Sequence, residues 1–520
     1  MWSLLLICAG FTAWPLWVSE LLPFQDLPQH LAAARTIHNL DDPSWHLSQY
    51  HVVDLSRTQY LSWYYAMDLL CWLMPLELAN RLLLTAYVLA VPLSVYALLR
   101  ALRRDTTVAL LAAPLALNTY LYMGFANYVT ALPMVLLALA LLVQTLRRWS
   151  PWQAAALTAL TALMFYSHVQ ALLMYIGFAA LTLALRSASW RPRAWWRQSL
   201  HLLPTLLLLA HWMYSSRILA SGAAWAEGHG GRNTTEAKFH FEPLMARIKA
   251  IPAQLFEVFR DDTDELLLLL WVVALVLVAL ISGARRGDGE PRDAANAGLW
   301  PLLRERLGVV WLVAGLGVYL LSPLSYKWIW PISHRLIPLL AMVAVVAAAG
   351  RTLAVHRAWV ALPAVALAIW AGMFHADRVR SFDAEAGPIR EVLAEAERGK
   401  RLVALIHDRH SDVVNGAPYL HFSQYYVVDR GGMANFSFAN MPQSPVGYPT
   451  VGGPPTLRPR WEWLPHLFDW RREGAFYDYV LLRGGSAQAR SLLRKSGNRL
   501  ALVTERGRWR LYRRVAAARP

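Results

Sequence analysis

Apolar runs long enough to cross a bilayer recur along this chain from its start to about residue 375, and then stop. A hydrocarbon core about 30 Å thick takes roughly 20 helical residues to span, and inside it every backbone polar group must be satisfied by the segment itself. Candidate spans fall at 2–22, 59–75, 79–99, 107–124, 127–146, 153–168, 170–185, 199–216, 266–282, 307–323, 334–350 and 358–374. With 56% hydrophobic residues, the composition is that of an integral membrane protein and not of a soluble enzyme. The expected architecture is an all-α polytopic membrane domain of about 11–13 transmembrane helices over residues 1–375, followed by a small soluble α/β domain over 376–520.

Charge then orients the spans. Lys and Arg number 50 against 34 Asp and Glu, a net charge of +16. In a soluble protein that excess would point to nucleic acid, but no RNA- or DNA-binding pattern accompanies it, so no nucleic-acid partner is expected. The basic residues gather instead in short connections. Arg100, Arg103 and Arg104 form one cluster, Arg147 and Arg148 a second, and Arg186, Arg191, Arg193 and Arg197 a third. Arg285, Arg286, Arg304 and Arg306 follow, and Arg351 with Arg357 closes the series. Spans separate the clusters in pairs, so all five lie on one face, the cytoplasmic one. The opposite face receives the loops 23–58 and 217–265, the stretch 324–333 and everything after about 375. One conflict remains within this scheme. If 59–75 and 79–99 both cross, the Arg100 cluster falls on the wrong side. Either 59–75, short and polar with Tyr60, Trp63, Tyr64, Tyr65 and Asp68, stops short of crossing, or 107–146 holds an extra pass.

Several chemistries are excluded. Cys8 and Cys71 are the only cysteines and both lie in apolar segments, so neither a disulfide framework nor a thiolate zinc site is expected. No basic region precedes Cys8, so the first segment reads as an uncleaved anchor. The chain has no Walker A loop, no dinucleotide fingerprint, no Gly-x-Ser-x-Gly and no His-Glu-x-x-His, which argues against ATP-driven transport. Asn233-Thr234-Thr235 matches a glycosylation sequon, of consequence only in a eukaryotic secretory setting.

Past residue 376 the pattern changes. An amphipathic helix is expected over 383–398, strands at 402–406, 477–482, 499–504 and 508–512, and a helix at 486–495. Residues 431–461, rich in Gly, Pro, Asn and Ser, read as an irregular loop. His407, His410 and Asp412 sit close together there, with the spacing of solvated loop residues.

The chemistry-bearing groups lie at the outer ends of the spans. Asp26 and His30 follow the first span and stand four apart, on one face of any helix that begins there. An acid and an imidazole at a membrane boundary suit proton transfer, head-group recognition or, with a divalent metal, shared ligation. The plainer reading is that Asp26, ahead of Pro28, merely caps a helix. His168 sits between two spans, where a packing role competes with a ligand role. Asn118 to Tyr128, with Gly124 and Asn127, is either a hairpin turn or the polar lining of a cavity. Residues 325–335 bring Lys327, His334 and Arg335 together with Trp328 and Trp330: an interfacial belt, or a clamp for a lipid-linked phosphate. Arg217 and Lys249 are weaker members of the same cationic set.

This layout resembles the GT-C superfamily of membrane glycosyltransferases, which use polyprenyl-phosphate-linked sugars. The resemblance rests on a first span, an external loop opening with an acid, many further spans and an external C-terminal domain. More narrowly, the chain resembles bacterial multispanning proteins with an Asp-x-Pro-x-His start (Asp26 to His30), a Gly-Phe-x-Asn segment (Gly124 to Asn127) and Ser167-His168 at the end of a span. The resemblance implies that Asp26 is the catalytic acid-base residue that activates the acceptor, with His30 beside it. It further implies that Lys327 or Arg335 holds the donor phosphate, with His168, Asn127, His334 and Arg217 as further substrate-binding candidates. The partners implied are a lipid-linked sugar donor and a glycan, lipid or protein acceptor, at the outer face of a bacterial cytoplasmic membrane. The family's acidic pair is absent, His30 standing near where a second acid is expected. Two other functions use the same polar cavity: a transporter or flippase for a lipid-linked saccharide, and a non-catalytic scaffold for envelope assembly.

Overall fold

The structure, a computed structural model, describes residues 1–186, 198–215, 239–283, 299–326, 329–441, 443–449, 451–455, 461–497 and 499–515. Five of the described helices are long and apolar enough to cross a membrane: Leu76–Leu102, Ala126–Arg147, Val169–Arg186, Thr263–Ser282 and the Ala358–Ala394 stretch. Shorter apolar helices lie at Trp2–Trp17, Thr106–Tyr122, Leu307–Leu321 and Leu336–Ala348. Together they form the polytopic helical bundle expected, with a sheet-bearing region after it.

The difficulty over 59–75 is resolved by length. That segment forms only Ser62–Cys71, ten residues, which rise about 15 Å, half a bilayer core. It packs Trp63, Tyr64 and Met67 inward and leaves Leu69, Trp72 and Leu73 exposed. Leu76–Leu102, by contrast, is long enough to cross, and its Arg100 end lies with the later basic residues. The contacts agree. Arg357 Nε lies 3.0 Å from Asp105 Oδ2, Arg186 Nη2 donates to Arg304 O at 3.4 Å, and Arg104 donates to Glu305 O.

Close packing of the first span has a visible cause. A Cβ on Gly372 would stand 2.1 Å from Phe11 O, so Trp2–Ala13 and Ala358–Ala386 meet backbone to backbone because one of them carries no side chain there. Ala358–Ala386 runs for 29 residues, well past the end expected at 374, and carries the chain from the bundle into the sheet region without a break. A short helix, Ile389–Ala394, covers the middle of the expected 383–398 element.

The sheet has five strands: β1 (Arg401–Ile406), β2 (Met433–Asn435), β3 (Tyr479–Arg483), β4 (Leu500–Arg506) and β5 (Trp509–Arg514), in the order β2-β1-β3-β5-β4. β1 runs parallel to both β2 and β3, while β5 is antiparallel to β3 and β4. The period of two explains what the sheet joins. Leu402, Ala404, Ile406, Leu481 and Leu511 face the main core, continuous with the helical bundle. Val403, Leu405, Val480, Leu482 and Tyr512 face a second cluster with Trp461, Phe468 and Trp470. Four strands fall where the residue pattern puts them. β2 does not: three residues inside a Gly- and Asn-rich stretch carry too little periodicity to register as a strand.

The early loop is tied to the late one. Val52 and Val53 pair antiparallel with Gly447 and Val446, so residues 23–58 lie against the sheet region, where Asp26 is found.

Candidate active site

The backbone around Asp26 is held from outside its own element. The amides of Gln25 and Asp26 donate to Tyr122 O and Met123 O at 2.9 and 3.1 Å. That docking requires Gly124, whose φ is +80° and whose Cβ, if present, would stand 2.7 Å from the amide nitrogens of Asp26 and Leu27. The break at 118–128 is therefore a turn with a purpose. Asn118 caps it by accepting from the Tyr120 and Leu121 amides.

Asp26 stands at the N-cap of Leu27–Asn39, with Pro28 in the first turn, yet its side chain accepts no hydrogen bond from the helix. The capping explanation for this carboxylate fails. The side chain is 14% exposed and lies 3.2 Å, Oδ1 to Nδ1, from His421, which comes from the segment between β1 and β2. The His421 ring stacks on Phe436 (centroids 6.0 Å apart, 26° between planes) and meets the edge of Phe438 at 5.6 Å.

His30 is beside Asp26 but turned elsewhere: its Nδ1 bonds the Tyr64 hydroxyl at 2.7 Å, and its ring meets the edge of Phe438. Burial pushes its pKa down to about 4, against the opposing pull of the Asp26 charge, with His421 adding to the depression. His30 is thus a neutral imidazole at neutral pH, engaged with a tyrosine.

A second constellation is built on Arg335 and His168. Arg335 donates from Nη1 to His168 Nε2 at 3.2 Å and from Nη2 to Trp330 O at 2.8 Å. Its guanidinium lies 4.7 Å from the Phe125 ring centroid. His168 is itself held between rings, stacked on Tyr60 at 5.1 Å and edge-on to Tyr128 at 5.0 Å. Because Nε2 accepts from Arg335, the remaining ring proton sits on Nδ1, which is buried without a partner among the described residues, as is Arg335 Nε. Asp26 is near enough for its charge to act on the Arg335 guanidinium. The fold therefore brings Asp26, His30, His168 and Arg335 into one neighbourhood from three separate parts of the chain.

Other candidates are committed elsewhere. Asn127 accepts the Trp63 amide at 3.2 Å and so fixes the start of Ser62–Cys71. His334 approaches Glu242, Nε2 to Oε2 at 2.8 Å. Arg217 and Lys327 lie outside the described residues. Among the described residues no three of His, Cys, Asp and Glu converge as metal ligands, and His30 Nδ1 is taken up by Tyr64. Residue patterns missed His421, Phe436, Phe438 and Tyr64. The only trace of them was an unusual density of Tyr and Trp in 60–65 and an isolated histidine in Tyr419-Leu420-His421-Phe422.

Fold and site together define a multi-pass helical membrane protein with an uncapped, largely buried carboxylate. In structure it is similar to the arabinofuranosyltransferase AftD from mycobacteria, with a TM-score of 0.51 and 16% sequence identity, over 98% of this chain and 40% of that one. A mutant form of the same enzyme aligns with a TM-score of 0.49, again at 16% identity, over 98% of this chain and 41% of that one. The likeness is one of fold, and this chain spans about two fifths of the length of the enzyme it matches. No protein-family model matches the chain, and no curated protein sequence matches it.

Proposed function

We propose that this chain is a membrane glycosyltransferase that moves a sugar from a polyprenyl-phosphate donor to an acceptor hydroxyl at the outer face of a bacterial cytoplasmic membrane. The observation that carries the reading is the Asp26 carboxylate, free of its helix and on a backbone docked on Gly124, next to the Phe125 ring that Arg335 covers. The lipid-linked donor is supported by that arginine and by the GT-C-like fold. An enzyme of the same fold type is, by name, an arabinofuranosyltransferase, which makes a pentofuranosyl donor the first to try.

In this reading Asp26 takes the proton of the acceptor hydroxyl as its oxygen bonds to the anomeric carbon. The bond from that carbon to the phosphate oxygen breaks, and the electron pair leaves with the lipid phosphate. Arg335, braced by His168 and the Trp330 carbonyl, offers N–H groups to the charge that develops there. His30 stays neutral and shapes the acceptor side through Tyr64. Residues 1–375 supply the bundle, and 376–520 form an extracytoplasmic domain that reaches Asp26 through His421; the arginines gathered at the other end, among them Arg104, Arg186, Arg304 and Arg357, support that orientation.

The test is transfer of radiolabelled sugar from polyprenyl-phosphate arabinofuranose and polyprenyl-phosphate mannose by the full chain in proteoliposomes. Asp26→Asn keeps the size and loses the base, so transfer should fall by about 10²–10⁴-fold with insertion and folding unchanged. Near-normal transfer by that variant sinks the mechanism. Movement of the lipid-linked sugar between leaflets without bond cleavage would favour a flippase.

A further inference from the structure

We infer that His421, carried by the segment between β1 and β2, is the positioning residue for the Asp26 carboxylate, so that the C-terminal region is a working part of the active site. This rests on the role proposed above for Asp26.

Asp26 has a fixed backbone and a side chain that nothing on its own helix holds. Its amide and that of Gln25 are bonded to Met123 O and Tyr122 O, while the carboxylate receives no bond from the helix it begins. Among the described residues, the side chain that comes within ion-pair distance of it is His421, at 3.2 Å. His30, its neighbour in sequence, spends Nδ1 on Tyr64.

His421 is built for this position. It is 4% exposed, and the stacked Phe436 ring and the perpendicular Phe438 ring fix the plane of the imidazole. The wall made by those phenylalanines is clipped to the helix of Asp26 itself. Gln29 donates from Nε2 to Phe436 O and accepts at Oε1 from the Phe438 amide, both at 2.9 Å. Gln424 secures the same strand from behind, donating to Ala434 O at 2.9 Å and Phe436 O at 2.6 Å. Asp26 and His421 are therefore referenced to one another through two glutamines, though they are almost 400 residues apart.

The His421 Nδ1 atom is buried and makes no aligned hydrogen bond among the described residues, although Asp26 Oδ1 is close. Leaving a buried polar atom unpaired costs stability, and catalytic contacts of this kind commonly align only when substrate arrives. A small rotation of the carboxylate would bring Oδ1 onto the Nδ1–H and leave Oδ2 free to receive the acceptor proton. His421 touches the base and not the reacting atoms.

The variants His421→Phe and His421→Asn separate this role from packing. Phenylalanine fills the slot between Phe436 and Phe438 without a donor; asparagine places an amide N–H close to where Nδ1 stands. In the proteoliposome transfer assay, His421→Phe should lower kcat by about 100-fold with KM near wild type, and His421→Asn should recover to within about tenfold of wild type. On an Asp26→Asn background, His421→Phe should cost nothing further. Transfer by His421→Phe within about threefold of wild type overturns the inference. So do equal losses in the two variants, or a further loss on the Asp26→Asn background. If His421→Phe does not fold, His421→Gln, whose amide reaches only the Nε2 position, takes its place. Should the wild-type chain transfer neither sugar, the function proposed above fails, and thermal unfolding of Asp26→Asn, His421→Phe and the double variant of the two decides this point alone. Less-than-additive midpoint shifts uphold the pairing and additive shifts refute it.

Discussion

Gly124 is the hinge on which the position of Asp26 depends, and Gly124→Ala measures that dependence. A Cβ there would sit 2.7 Å from both the Asp26 and the Leu27 nitrogen, whereas ordinary contact begins at 3.4 Å. Relief requires these backbones to separate by about 0.7 Å, since the neighbours are main-chain atoms that cannot swing aside. The φ of +80° adds strain of about 1–2 kcal/mol for any residue with a side chain. The amide bonds from Gln25 and Asp26 to Tyr122 and Met123 lie in the same contact, and weakening them costs about 1 kcal/mol apiece. The expected loss of stability is therefore about 3–4 kcal/mol. Because a displacement near 1 Å at a reacting group can cost about 100-fold in rate, transfer should fall by roughly that factor in protein that is still folded. The assay pairs initial transfer rates with the thermal unfolding midpoint of the full chain. Gly177→Ala serves as the control: nothing lies within 4 Å of its Cβ, and the change in mid-helix should be neutral or stabilising by up to about 1 kcal/mol. A folded Gly124→Ala protein with transfer within about threefold of wild type would refute the claim that this contact positions Asp26.

Arg335→Lys keeps the charge but loses the fork that reaches both His168 and Trp330 O, and the stacking on Phe125. It should lower transfer by about 100-fold, whereas His334→Gln, at a residue set against Glu242, should stay near wild type; the reverse order would remove Arg335 from the site. The pH dependence of stability follows from His30, whose pKa is pushed down to about 4 in the fold and stands near 6.5 in the unfolded chain. Between these values the unfolded chain binds the extra proton. Stability is therefore full above about pH 6.5 and declines as pH falls toward 4, by up to about 3 kcal/mol for this group. His51, buried and also pushed down to about 4, adds a slope of the same sign. Chemical unfolding of His30→Gln across that window should show a shallower decline than wild type; an unchanged slope would show that His30 is not held neutral.

Much of the architecture was legible in the residues because the bilayer imposes it. Apolar length and the placement of arginines are local properties, and they marked the spans, the end at which Arg100, Arg147 and Arg186 gather, and the strands whose alternation splits Leu402 from Val403. Asp26, His168 and Arg335 stood out for a related reason: polar groups at span ends are few. What residue order could not supply was which of them meet. The ten-residue length of the helix at Ser62–Cys71 was one of two alternatives the residues left open, and no periodicity in a 13-residue element distinguishes an aspartate that caps from one that does not. The Asp26 backbone is placed where it is because Gly124 lets two backbones touch, and its carboxylate lies 3.2 Å from a histidine that arrives from a different fold region. Sequence by itself determined that this chain is a helical membrane protein with an acid at the boundary. Only the tertiary structure decided that the acid lies 3.2 Å from His421, since contacts between residues hundreds of positions apart are set by how whole elements pack, which no local pattern encodes.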